Sequence, residues 1–388
     1  MENISKTLSL IKKEGLYRDC RYLSSQQAPK VNIEGREIVL LGSNNYLGLC
    51  DDIRLKEAAK DAIDKYGVGS GGSRLTTGSY DLNRELEEKI ASFKGTEAAL
   101  VFNTGYMANL GIISALCDRK WVIFCDKYNH ASIIDGCLLS GAKLVRYKHC
   151  DMEDLERKIE IYKGSNNLIV TDGIFSMDGN AAPLKDIVRL AKKHDIITMV
   201  DDAHGVGVLG EKGSGTVSHF NLNKEIDIQM GTLSKAIASV GGYVAGKKDL
   251  IEYIKNTSRS FIFSTALPPS AIRASLRAIE IIQDEEERRN RLIDLSEWFK
   301  EELTQLGFRV TNTITPIIPI IIGDAERAVK FSESLLEEGI YVPAIRPPTV
   351  PRGTSRLRIS LMATHEYEDL KHVLDVIESH GKRLGIIS

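Results

Sequence analysis

The stretch IITMVDDAHGVGVLG, residues 196–210, sets an apolar run against two acidic residues, a histidine and a Gly-rich turn. Its first half, IITMVDD (196–202), is apolar at successive positions. That is the pattern of a strand covered on both faces, as in a parallel sheet. Asp201 closes the hydrophobic run and is expected to be largely buried. A buried carboxylate needs a cation or several donors. Ligands of open α/β sheets bind beyond the carboxyl ends of the strands. Asp201 and His204 therefore read as candidate site residues, against the simpler reading of a capping Asp and a surface His in a turn.

Working outward, strand and helix signals alternate. AALVFN (98–103), WVIFCD (121–126), KLVRYK (143–148) and NLIVTDG (167–173) read as strands. IRLKEAAKDAIDKY (53–66), DLNRELEEKIASFKG (81–95), YMANLGIISAL (106–116) and PLKDIVRLAKKHD (183–195) read as helices. Asp81 is the expected N-cap of the second helix, Gly95 its stop, and Pro183 the start of the fourth. Strands joined by crossover helices predict an α/β fold with a mostly parallel, covered sheet. The run 283–307, QDEEERRNRLIDLSEWFKEELTQLG, is long and heavily charged, has apolar positions at helical spacing, and reads as a link between two domains rather than the end of a fold. Beyond it, TPIIPIIIGD (315–324), AERAVKFSESLLEEG (325–339), SRLRISL (355–361) and a helix over 365–384 suggest a compact α+β unit. The expected organisation is an N-terminal segment 1–44, a large ligand-binding domain 45–285 and a small α+β domain 286–388.

The 388 residues carry 51 Lys and Arg against 53 Asp and Glu, so no charge excess asks for a nucleic-acid or membrane-surface partner. No apolar run is long enough to span a bilayer, and MENISKTLSLIKKEGLYRDC is too mixed and charged for a secretory signal. The six cysteines form no CxxC pair, so neither a disulfide framework nor a metal site is expected, and a reducing cytoplasm fits best.

Two segments match G-x-G-x-x-G, but GVGSGG (67–72) follows a helix and GVGVLG (205–210) leads into EKGSGT rather than a helix. Neither has the strand–turn–helix context a dinucleotide needs. NTGYMANLG (103–111) does run from a strand through a turn into a helix, whose first N–H groups can hold an anion. In TLSKAIASVGGYVAG (232–246), Lys235 sits among small residues after another strand-like run. His130, in DKYNHASIIDG (126–136), also follows a strand end and could stack on a planar ligand. Each alone has a structural explanation. One cofactor, pyridoxal phosphate (PLP), accounts for all of them. Its aldehyde needs a lysine (Lys235) for a Schiff base. Its ring nitrogen needs a buried carboxylate (Asp201), which makes the ring an electron sink. Its face needs a flat partner (His130). Its phosphate needs a helix N-terminus and hydroxyls (Thr104-Gly105-Tyr106 with Thr232).

With SNNYLGL (43–49), GSGGSRLTTG (69–78), NHAS (129–132), DGIFSMDG (172–179), VDDAHGVGVLG (200–210), TLSKA (232–236) and SRLRIS (355–360), the chain resembles the α-oxoamine synthases over nearly its whole length. These are PLP enzymes of fold type I, the aspartate-aminotransferase-like fold. GSGGSRLTTGSYDLNRELE (69–87) and FSTALPPS (263–270) resemble the branch that condenses L-alanine with a pimeloyl thioester in biotin formation. The resemblance implies that Lys235 also serves as the base at Cα, and that His204 and Ser176 lie near the cofactor's ring hydroxyl. It implies that Thr265 of a partner subunit joins the phosphate site, so a homodimer is expected. Asn44 and Arg358 would meet the amino acid, Arg358 being preferred over Arg356 for its carboxylate. Arg18 or Arg21 would meet the acyl carboxylate, with Thr349 counted among the substrate residues. The alternatives are the same chemistry on glycine and acetyl-CoA, and a non-catalytic partner subunit of the same fold. A nicotinamide oxidoreductase is disfavoured by the context of the Gly motifs.

Overall fold

A computed structural model describes residues 2–13 and 17–388, so part of the predicted N-terminal segment lies outside the described residues. The chain divides into two units. The larger comprises Asn45–Ser176 and Asn180–Arg291; the smaller comprises the residues up to Asn44, Met177–Gly179 and Leu292–Ser388.

Seven strands make the sheet of the larger unit: β1 (Ala98–Phe102), β2 (Trp121–Asp126), β3 (Lys143–Tyr147), β4 (Asn166–Asp172), β5 (Ile197–Asp201), β6 (Ile228–Thr232) and β7 (Gly242–Gly246). Their order is β1-β7-β6-β5-β4-β2-β3. Strands β3, β2, β4, β5 and β6 are parallel, and β7 runs antiparallel to both β6 and β1. Successive residues of a strand face opposite sides of its sheet. Ile123 and Cys125 accordingly join one buried core, while Val122 and Phe124 join the other. Helices Gly105–Leu116 (α1) and Ala131–Ser140 (α2) pack on the first side through Ile112, Ile113, Ile133 and Cys137. Helices Met152–Tyr162 and Leu184–His194 pack on the other through Leu155, Ile159, Ile187 and Leu190. The apolar runs of the strands are thus explained by cover on both faces.

In the smaller unit, Ile317–Gly323, Ser355–Ser360 and Ala344–Ile345 form an antiparallel sheet. The hairpin Lys30–Ile33 and Arg36–Leu40 takes Ile340–Tyr341 as a parallel third strand. Helices Glu2–Lys13, Ala325–Glu337, Tyr367–Arg383 and most of Glu286–Gln305 belong to it as well. Among the described residues no helix is long and apolar enough to cross a membrane.

Two cap expectations, at Asp81 and Pro183, need correction. The helical spacing of 283–307 falls mainly in Glu286–Gln305, which Glu285 (φ −99°, ψ 75°) separates from Pro269–Asp284. The Glu285 carboxylate is tied to both Arg54 and Arg288, which fixes the chain at the break. Asp81 is the first helical residue rather than the cap; Tyr80 holds the cap position and donates its N–H to Asn83 Oδ1 at 2.8 Å. Pro183 likewise stands at the cap, one residue before Leu184. Gly95 ends its helix in the left-handed conformation (φ 66°), as predicted.

Candidate active site

The parallel strands end on one edge of the sheet, and there the larger unit holds a cavity of about 200 Å³. Five strand ends contribute. After β1 come Thr104, Gly105 and Tyr106; after β2, His130 and Ser132; from the end of β4, Asp172 and then Ser176; from β5, Asp201 and then His204; from β6, Thr232, Ser234 and Lys235. Lys235, His130, Asp201, His204, Ser176, Gly105, Tyr106 and Thr232 are therefore brought together within a single unit. Thr265 is exposed, does not line this cavity and pairs with Ser73 in an isolated bridge.

Asp201 is buried, with 5% of its surface exposed. Its Oδ1 accepts the Ala203 N–H at 3.0 Å and its Oδ2 accepts from Asn109 Nδ2 at 2.7 Å. Both donors are neutral, so a protonated ring nitrogen would supply the cation a buried carboxylate favours. His204 Nδ1 is 2.7 Å from the Tyr46 hydroxyl. His130 caps α2, its Nδ1 accepting the Ser132 N–H at 3.3 Å. Burial lowers the His130 pKa, aided by the Lys235 charge and opposed by Asp201 and Asp135. Asp172 accepts the His130 N–H at 3.0 Å, and burial first, then the Asp201 charge, pushes its pKa well up.

Thr104 caps α1, accepting the Met107 N–H at 3.1 Å. The N–H groups of the first turn have no partner within the helix and form an anion site. The Thr232 hydroxyl donates to Gly241 O at 2.9 Å and sits 2.7 Å from Ser234 Oγ. Since Thr232 has one proton to give, the 2.7 Å contact is Ser234 donating to Thr232 Oγ1. Ser234 also lines the cavity, and the sequence reading passed over it. One of the small residues beyond Lys235 has a packing role. A Cβ on Gly242 would lie 2.6 Å from Gly105 Cα and from Thr104 O. The glycine lets β7 seat the Thr104–Gly105 turn, backbone against backbone.

The donor set fits PLP: a lysine, a buried carboxylate, a flat histidine, a hydroxyl and a helix N-terminus line one cavity. Asn109, Ser132 and Asp172 also line it and were missed as candidates, although they lie inside the stretches NTGYMANLG, NHAS and DGIFSMDG. Their signal was a polar side chain at a position where packing alone would place an apolar one.

The smaller unit gathers the remaining candidates. Arg358 is buried and donates to Ser360 Oγ at 2.8 Å and Asn44 Oδ1 at 3.1 Å. Arg356 is ion-paired with Asp178. Arg18, Arg21 and Thr349 line a second cavity, of about 740 Å³, together with Arg346. Arg18 lies 3.4 Å from Thr349 Oγ1, and Arg21 stands over the Tyr341 ring.

One further cluster lies in the larger unit, where Asp126, His149 and Cys150 present donor atoms within 4.8 Å of one another. The Asp126 carboxylate accepts the Tyr128 and Cys150 N–H groups and contacts His149 Nδ1 at 3.0 Å. That network accounts for the cluster as a hydrogen-bonded brace.

The family model for aminotransferase class I and II matches residues 36–377. An 8-amino-7-oxononanoate synthase of Lysinibacillus sphaericus is 50% identical, with all of both chains covered. A serine palmitoyltransferase of S. paucimobilis, solved with PLP and myriocin bound, superimposes with a TM-score of 0.94 at 34% identity, over 99% of this chain and 98% of that one. An 8-amino-7-oxononanoate synthase of Francisella tularensis superimposes with a TM-score of 0.78 at 32% identity, over 89% of this chain and 98% of that one.

Proposed function

The chain belongs to the class I and II aminotransferase family, and we propose that it condenses L-alanine with a pimeloyl thioester in biotin formation. The products are 8-amino-7-oxononanoate, carbon dioxide and the free thiol. The observation that carries the reading is the convergence of Lys235, Asp201 and His130 on one cavity with a helix N-terminus in its wall. Full-length identity of 50% to an 8-amino-7-oxononanoate synthase supports this pair of substrates.

PLP, when bound, supplies a carbonyl that takes up the amino acid and a conjugated ring that stores the electron pair released at Cα. The protein's own groups do the rest. The first-turn N–H groups of Gly105 and Tyr106, with Ser234 and Thr232, hold the phosphate. Asp201 keeps a proton on the ring nitrogen. His130 stacks on the ring, and His204 and Ser176 sit at the ring hydroxyl. Lys235 holds the cofactor, takes the Cα proton of L-alanine and returns one to the product. Arg358 grips the amino-acid carboxylate beside Asn44, in the two-pronged manner its fork allows. The ion pair of Arg356 with Asp178 supports this choice of arginine. Arg18, Arg21 and Thr349 meet the far carboxylate of the acyl chain, a reading supported by their shared cavity.

A homodimer with shared sites, in a reducing cytoplasm, completes the reading. Thr265 is exposed beside Phe263, whose ring is 71% exposed, as suits a surface awaiting a second copy. All six cysteines are free thiols.

Glycine with acetyl-CoA would use the same groups. Thiol release by the PLP-loaded protein decides between the pairs, with L-alanine and pimeloyl-CoA run beside glycine and acetyl-CoA. Turnover of the first pair alone is the expected result. Faster turnover of the second would move the protein to glycine metabolism, and no turnover of either would overturn the reading.

A further inference from the structure

Asn109 lies in the second turn of α1, 1% exposed. Its neighbours Ala108, Ile112 and Ile113 belong to the apolar core. Its carbonyl Oδ1 is buried without a hydrogen-bond partner. Burying an unpaired carbonyl is unfavourable, so packing alone does not account for an asparagine here.

The amide nitrogen does. One hydrogen of Nδ2 goes to Asp201 Oδ2 at 2.7 Å and the other to Ser132 Oγ at 2.8 Å. The orientation of the amide is fixed chemically, because an ionised carboxylate only accepts, so the nitrogen must face Asp201. Ser132 Oγ accepts from Asn109, which frees its own proton for His130 Nδ1, 2.7 Å away. The Ser132 N–H donates to the same Nδ1. A ring nitrogen that accepts from both cannot carry a proton, so the imidazole proton sits on Nε2. The lowering of the His130 pKa by burial agrees with a neutral ring.

We propose that Asn109 is a positioning residue for the reaction: through its amide nitrogen it holds Asp201, and through Ser132 it sets the tautomer and orientation of His130. The inference rests on the PLP reading of the cavity. In that reading Asp201 and His130 address the same ring, one at its nitrogen and one at its face. The relay Asp201–Asn109–Ser132–His130 gives them a common anchor on α1.

The test loads wild type, Asn109→Asp and Ser132→Ala with PLP and titrates the visible absorbance of the bound cofactor with pH. The other titratable groups lining the cavity, Tyr106, Asp172, His204 and Lys235, are the same in all three proteins. Asn109→Asp keeps the size of the side chain but turns a donor towards Asp201 into a second carboxylate. The absorbance midpoint should move by about one pH unit or more, as close like charges require. Thiol release should fall at least about tenfold in kcat, with the KM for L-alanine little changed. Ser132→Ala leaves the Asp201 bond in place and should lower kcat with little movement of the midpoint. A midpoint and a kcat within twofold of wild type in Asn109→Asp would overturn the proposal. If Asn109→Asp fails to fold, as read by circular dichroism, Ser132→Ala decides: unchanged kcat overturns the relay and reduced kcat supports it. Failure of the PLP reading shows separately, as no visible band and no thiol release in wild type.

Discussion

Asp172 and Asp201 end adjacent parallel strands in register, their Cα positions paired across the sheet. Both carboxyl groups are buried, at 5% exposure each. The two are not equivalent. Asp201 takes two N–H donors from Ala203 and Asn109, while Asp172 takes the single N–H of His130. Burial, and next the charge of Asp201, raises the Asp172 pKa well above the usual carboxylate range. Asp172 therefore holds its proton to higher pH than an exposed aspartate does.

This asymmetry predicts how the cofactor-free protein responds to pH. A carboxyl whose folded pKa exceeds its unfolded value contributes stability that is full below the unfolded pKa. The contribution is lost as pH rises through the folded pKa. Asp172→Asn places a neutral group there at every pH and keeps an acceptor for the His130 N–H. Its Tm relative to wild type should therefore rise with pH, by about 1–2 °C between pH 5 and pH 8 for each kcal/mol recovered. Thermal melts across that range check it. A difference independent of pH would mean that Asp172 ionises as an exposed aspartate does.

Beside this edge, Lys94 Nζ lies 2.9 Å from Asp202 Oδ2, with 1% and 0% of the two side chains exposed. Lys94 also donates to Ser214 O at 2.5 Å, and Asp202 accepts the Thr216 N–H at 3.0 Å. Removing one partner of such a pair strands the other charge, at about 3–5 kcal/mol. Lys94→Met should destabilise by that order in urea unfolding. Lys94→Met with Asp202→Asn, which neutralises both, should recover part of the loss. An additive double variant would show that the two charges do not depend on each other.

The sheet was legible in the sequence because strands covered on both faces carry unbroken apolar runs, as WVIFC (121–125) and LIV (168–170) do. The cavity was legible in part because Asp201, His130 and Lys235 each follow such a run. What the sequence hid were relations across distant segments. Nothing in NTGYMANLG says that Asn109 faces Asp201, since the two are 92 residues apart. Nothing near Gly242 says that its missing Cβ makes room for Gly105 rather than for a ligand. Nor does anything near Glu285 say that its carboxylate meets Arg54, 231 residues earlier.

The smaller unit has its own acid sensitivity. His365 is fully buried, accepts the Met362 N–H at Nδ1 (2.8 Å) and has Nε2 3.2 Å from Leu40 O. Burial lowers its pKa to about 4, opposed by the Leu40 carbonyl. A histidine whose folded pKa lies below its unfolded value contributes stability present above the unfolded pKa and lost as pH falls through the folded pKa. Unfolding free energy should thus decline from about pH 6.5 to about pH 4, by up to about 3 kcal/mol from this residue. Denaturant titrations at pH 7, 5.5 and 4.5 read the slope. His365→Gln should be flatter over that window, and an equal slope would place the acid sensitivity elsewhere.

The two arginines of SRLRIS should separate in kinetics. Arg358 is buried and meets neutral groups, Ser360 Oγ and Asn44 Oδ1, whereas Arg356 is paired with Asp178. A lysine keeps the charge but not the planar fork that binds a carboxylate through two parallel bonds. Losing one charge-assisted bond, about 1.5–3 kcal/mol, is worth roughly tenfold or more in affinity. Arg358→Lys should therefore raise the KM for L-alanine at least about tenfold while kcat changes less. Arg356→Lys disturbs the Asp178 pair instead, so its effect should appear in thermal stability with the KM close to wild type. Initial rates of thiol release at varied L-alanine measure both. A KM effect confined to Arg356→Lys would transfer the carboxylate grip to that residue and leave Arg358 as a brace between Asn44 and Ser360.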